Sequence, residues 1–186
     1  DASVVKANAD KAFQTAGLSA NEYMQQVTSF SAFLISSLGG DTAKAASVAD
    51  MAMQDMADNA NKFGTDAESI QNAYQGFAKQ NYDMLDNLKL GYGGTKEEMQ
   101  RLLSDAQKFT GVQYDISSLS DVYSAIHAIQ ENLGVTGTTA KEASRTFSGS
   151  FSAMKAAAQN VLGNMAIGGD VTGSMQELMQ TASTFL

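Results

Sequence analysis

The chain has 186 residues, a formal net charge of −8, 44% hydrophobic residues, and no proline, cysteine or tryptophan. That length supports one sizeable core, and an apolar share of this order belongs to globular chains and not to disordered ones. The missing cysteines exclude disulfides, thiol nucleophiles and thiolate metal sites, and the scattered lysines and arginines form no basic stripe for a nucleic-acid backbone.

In chain order, the first segment stops at Gly17, and Ser19 with Glu22 matches a capping box that opens a helix. Its apolar stripe is Tyr23, Val27, Phe30, Leu34 and Leu38. The run "FSAFLISSL" within it falls far short of the roughly 20 apolar residues of a membrane span, so a core helix is expected. Gly39 and Gly40 end that helix, and Asp41 is a simple N-cap for the next.

The second stripe runs Ala46, Ala49, Met53, Met56, Ala60 and Phe63, with Asp50, Asp55, Asp58 and Lys62 expected to face solvent. Gly64 closes this helix, and Thr65 with Glu68 reads as the box that starts another. An irregular stretch, Lys79 to Thr95, follows. Thr95 with Glu98 then opens a helix carrying Met99, Leu102, Ala106 and Phe109, closed by Gly111. The next stripe is Leu119, Val122, Ile126, Ile129 and Leu133, closed by Gly134.

Thr139 with Glu142 opens a longer stripe through Ala143, Phe147, Phe151, Met154, Ala158, Val161 and Met165. The expected architecture is an all-α bundle of about seven or eight helices joined by Gly-rich turns. Residues 1–163 form its helical core, 164–173 a linker, and 174–186 the start of a further helix bearing Met175, Leu178, Met179, Ala182 and Leu186. The chain opens without methionine, carries no signal-peptide pattern and closes within a helical pattern, as expected of a piece of a longer chain.

Catalytic patterns are few. "GYGGTKEE" has its glycines before a helix, but Gly94, Thr95, Lys96 is the wrong order for a Walker A loop, and no strand pattern precedes it. Glu97 and Glu98 in the first turn favour the helix dipole themselves and repel a bound phosphate. Gly91, Gly93, Gly94, Thr95 and Glu98 are therefore assigned to a turn and cap. "SAMK" (Ser152 to Lys155) matches S-x-x-K without the companion motifs of penicillin-interacting enzymes. His127, the single histidine, is expected on a solvated helix face near Glu131. The acid pairs Asp83/Asp86 and Asp55/Asp58 read as solvated charge. No catalytic residue, metal ligand or cofactor site is assigned, and the expectation is a non-enzyme.

The block "SIQNAYQGFAKQNYDMLDNLKLGYGGTKEEMQRLL", Ser69 to Leu103, resembles the core region of phage tail tape measure proteins in the form typical of Gram-positive phages and prophages. The similarity extends from about Gly17 to Gly163. The resemblance implies a virion structural protein in the tail tube lumen or at the tail tip. Around it tube subunits polymerise, so that it helps determine tail length. It also implies tail tube protein, tail assembly chaperones and tail-tip or baseplate proteins as partners, and a homo-oligomer with three copies as the expected number. Nucleic-acid and membrane contacts are not expected of this segment.

A measuring rod should be one long heptad coil, whereas glycine turns here restart the helices repeatedly, so a docking or initiating part is expected. Tyr82, Leu85, Leu88, Leu90 and Tyr92 place much apolar surface in an irregular segment, which makes them the candidate partner-contact loop. Closure of the bundle core is the competing role for the same residues. Two other functions stay open: a peptidoglycan hydrolase module of a tail protein, and a generic bacterial helical adaptor.

Overall fold

The computed structural model describes residues 2–12, 16, 18, 20–145, 176 and 179. Among them are seven bounded helical elements, a further helical run over 138–145 and no strand, so the protein is an all-α bundle. The α-helices are α1 (Ala2–Ala9), α2 (Ala20–Ser37), α3 (Thr42–Phe63), α4 (Ala67–Ala78), α5 (Lys96–Thr110) and α6 (Leu119–Asn132), with a 3-10 turn at Leu85–Leu88 between α4 and α5. No described helix is long and apolar enough to cross a membrane.

The chain divides into two compact units, Asp1–Ala140 and Lys141–Leu186. The expected linker 164–173, the S-x-x-K residues 152–155, and the long stripe from Phe147 onward lie outside the described residues. So do Gly17 and Ser19. In the second unit residues 141–145 are helical, as are Gln176 and Met179, both exposed.

The first unit is organised around α3, which packs against α1, α2, α4 and α6, while α5 packs on α6. Asp41 caps α3 by accepting the Lys44 N–H at 2.9 Å, and Gly64 ends it in the left-handed conformation at φ 64°. Gly111 closes α5 in the same way at φ 71°. The Thr65 box is not used: Asp66 is the residue that caps α4, accepting the Ser69 N–H at 3.1 Å. Asp66 stands immediately before the first helical residue, one position past Thr65, and a carboxylate accepts more strongly than a hydroxyl.

The stripes of α2 and α3 are buried as the spacing predicts except for Leu38, Ala60 and Phe63, which are half-buried, and two residues of other stripes are exposed. Phe109 and Leu133, each the last apolar residue of its stripe, are 56% and 49% exposed because each lies at its helix end, beyond the neighbouring helices. Inside, five rings form a chain. Phe30 of α2 meets Tyr123 of α6 edge-on at 6.2 Å, Tyr123 meets Tyr74 of α4 at 5.1 Å, and Tyr74 meets Phe77 at 5.7 Å. Phe77 stacks on Tyr82 at 6.1 Å, which carries the chain into the irregular segment.

Two glycines test how tightly that segment is held. A Cβ at Gly94 would lie 2.1 Å from the Asp83 carbonyl oxygen, whereas at Gly111 it meets open space. Overpacking costs about 1–3 kcal/mol and more where backbone must move. A left-handed non-glycine residue costs about 1–2 kcal/mol. Gly94→Ala is therefore expected to lose at least about 3 kcal/mol and Gly111→Ala about 1 kcal/mol in urea unfolding.

Candidate functional site

The glycine loop is built to hold its own anion. Thr95 caps α5, its hydroxyl accepting the Glu98 N–H at 3.2 Å. The Glu98 carboxylate reaches back past Thr95 and accepts the Gly93 N–H at 2.9 Å instead of completing the box. Arg101 clamps the same carboxylate through Nε at 3.0 Å and Nη2 at 2.6 Å, and Nη2 also donates to the Gly91 carbonyl at 2.8 Å. Arg101 and then the Gly93 N–H bring Glu98 down to a pKa of about 2. The backbone donor that a phosphate would need is thus already occupied by a carboxylate.

The arginine also lies 4.3 Å over the ring of Tyr92, whose hydroxyl donates to Asp105 at 2.9 Å. Burial first, and then the bond to Asp105, push the Tyr92 hydroxyl up to about 12. Lys108 and Tyr92 in turn hold the Asp105 carboxyl below its ordinary value.

The proposed contact loop turns inward. Tyr82, Leu85, Leu88 and Leu90 are all buried, and the Tyr82 hydroxyl donates to the Ile116 carbonyl at 3.2 Å. Tyr92 is half-buried against the bundle. These side chains close the core, the competing role, because the 3-10 turn lays Leu85 and Leu88 onto α4. They offer little surface to a partner.

A second cluster was not legible as such in the sequence. Asp55 and Asp58, expected in solvent, are 1% and 2% exposed, and Asn59 and Gln130 are fully buried. The cause is the position of α3: with neighbours on several sides, no face is left wholly wet. Asn59 Nδ2 donates to the Leu88 carbonyl at 2.9 Å and to Gln130 Oε1 at 2.7 Å, and Gln130 Nε2 donates to the Asp55 carbonyl at 3.1 Å. Asp58 accepts the Gly137 N–H at 2.6 Å and the Thr139 N–H at 2.7 Å. Thr139 is itself helical, so the anticipated Thr139 cap is replaced by a carboxylate from a distant helix.

His127 is also corrected. Its Nδ1 lies 2.8 Å and 3.1 Å from the two Asp55 oxygens, across the α3–α6 contact, so its hydrogen-bond partner is Asp55, with Glu131 only a nearby charge. The hydrogen bond to Asp55 is the largest influence on His127 and raises its pKa, burial opposing. Burial dominates at Asp55 and raises its carboxyl, with His127 opposing. A carboxylate on Nδ1 is how an imidazole is oriented for general-base work, but that chemistry needs a nucleophile at the other nitrogen. Among the described residues, His127 hydrogen-bonds to no hydroxyl, and no group of three acids or histidines could hold a metal. The pair Asp83/Asp86 is exposed.

Two surface concavities flank the 111–118 segment. One, of about 540 Å³, is lined by polar groups including Gln100, Ser104, Gln107 and Gln113. The other, of about 390 Å³, includes Phe33, Ile116 and Leu119. No protein-family model matches this chain, and neither a curated protein nor a solved structure matches it.

The buried seam yields two mutations of opposite sign. Asn59→Ala strips the donor from both the Leu88 carbonyl and Gln130, at about 1–3 kcal/mol for each unpaired group. The Tyr74 hydroxyl is buried without a hydrogen-bond partner. Tyr74→Phe should therefore stabilise by about 1 kcal/mol. Urea midpoints of the two variants against wild type measure both.

Proposed function

We propose that this chain is a folded segment of a phage or phage-derived tail tape measure protein, acting in docking or initiation of the tail and not as measuring rod. The observation that carries the reading is the long block Ser69 to Leu103, whose likeness to tape measure cores covers a helix, an irregular loop and a second helix together. The compact packing supports the finer point. The longest described helix has 22 residues, and six α-helices fold back on one another within residues 1–140. Measuring needs length per residue, and folding back gives that length away.

Charge is consistent with the same role. A net charge of −8 leaves a lumen component with no general attraction for the DNA that must pass it. With Tyr82, Leu85, Leu88 and Leu90 committed to the core, partners such as the tube protein, assembly chaperones or tail-tip proteins would meet other surface.

The test is deletion of the coding sequence for these residues from the phage or lysogen that carries it, with tails counted and measured by electron microscopy. Loss of tails, or tails of uncontrolled length, is the expected outcome. Tails shortened by about 280 Å, the rise of 186 residues of continuous helix, would make the segment part of the rod. Tails normal in number and length would overturn the tail reading for this segment.

A further inference from the structure

We propose that Asp55 and His127 form a proton-operated clasp between α3 and α6, closed while the imidazole carries its proton and loosened when it gives that proton up. The inference concerns the first unit alone and stands apart from the tail reading.

The asymmetry of the pair is the starting point. The Asp55 side chain is 1% exposed and the His127 side chain 31% exposed. The carboxylate is sealed from water, while the imidazole that neutralises it keeps a route for exchanging its proton. A buried carboxylate with no cation beside it is costly, far more than the pair is worth when intact.

The charged groups that face His127 are all acidic: Asp55 and Asp58 from α3, and Glu131 one turn away on α6. From α4, the buried Tyr74 hydroxyl is close enough to feel the charge of Asp55, and it carries no charge itself at neutral pH. Loss of the imidazolium charge therefore leaves a set of like charges around the contact. The same segment of α3 supplies the Asp55 carbonyl to Gln130 and the Asp58 carboxylate to the Gly137 and Thr139 amides. A loosened clasp is transmitted to the buried amides and to the turn after α6.

The direction of the pH effect follows from where the protons are held. His127 binds its proton more tightly in the folded chain than the ordinary value of 6.5. Its stabilising contribution is thus fully present below about pH 6.5 and is lost as pH rises through the folded value. Asp55, also raised, has the same sign: its contribution is lost as pH rises through its folded value. Glu98, Asp105 and Asp115 are lowered and act oppositely, but only at acid pH, where carboxyls titrate. The raised tyrosines act only in alkali, near and above about pH 10. Between these ranges the clasp sets the slope.

As His127 is the single histidine, its ring protons give one unambiguous titrating NMR signal in the full chain. That titration and urea unfolding at about pH 5.5 and 8.5, around the ordinary histidine pKa, test the clasp together. The expected result is an NMR midpoint above 6.5. The folding equilibrium constant should then fall by close to tenfold for each unit of that excess. In Asp55→Asn the midpoint should return toward the ordinary value, and the difference in stability between the two pH values should shrink with it. The proposal is overturned by a wild-type midpoint at or below 6.5, by wild-type stability that does not fall with pH, or by an unchanged pH response in Asp55→Asn. If that variant does not fold, the two wild-type measurements decide alone, since each must move together with the other.

Discussion

The fold depends on one constraint: α3 is packed by four other helices, so the polar groups it carries must find partners inside the protein. Between residues 55 and 59 three such side chains face three different destinations. Asp55 goes to α6, Asp58 to the turn after α6, and Asn59 to the end of the 3-10 turn and to Gln130. Apolar contact is non-directional and tolerates sliding, whereas these bonds do not. Moving α6 along α3 by one turn would strand a carboxylate and two amides in a dry core. The seam therefore sets register, and the aromatic chain from Phe30 to Tyr82 fills the space around it.

The loop between α4 and α5 shows the same economy of partners at the surface. A glycine-rich approach to a helix start is the usual setting for an anion, and an anion is indeed bound there. It is the carboxylate of Glu98, held by the Gly93 amide and by Arg101. The arginine then covers Tyr92, and Gly94 sits so close to the Asp83 carbonyl that no side chain fits between them. Loop, cap and ion pairs form one closed unit whose purpose is to lay Leu85, Leu88 and Leu90 onto the bundle.

Both features place the chemistry of this unit in its packing. The perturbed acids Asp55, buried, and Glu98, at the surface, are both engaged in holding elements together. This also locates any response to conditions: the seam is the part of the unit where a single proton changes the balance of charge.

What the sequence by itself determined was the helical grammar. Three-four apolar spacing identified α2, α3, α5 and α6, Gly64 and Gly111 marked the stops of α3 and α5, and Asp41 and Thr95 their starts, because these signals act within a turn or two of backbone. The same locality explains the near misses, such as Asp66 capping α4 one residue past Thr65. Only the tertiary structure decided which polar residues are buried. Asp55 and Asp58 are spaced like any solvated acids, and nothing local records that α6 and the 137–139 segment close over them. His127 lies off its own apolar stripe, yet a helix 72 positions away supplies its partner. Tyr82, Leu85 and Leu88 carry the same apolar character whether they face a partner or a core, and the choice rests on where the 3-10 turn meets α4. Burial is a property of the whole packing, and a residue's neighbours in sequence do not carry it.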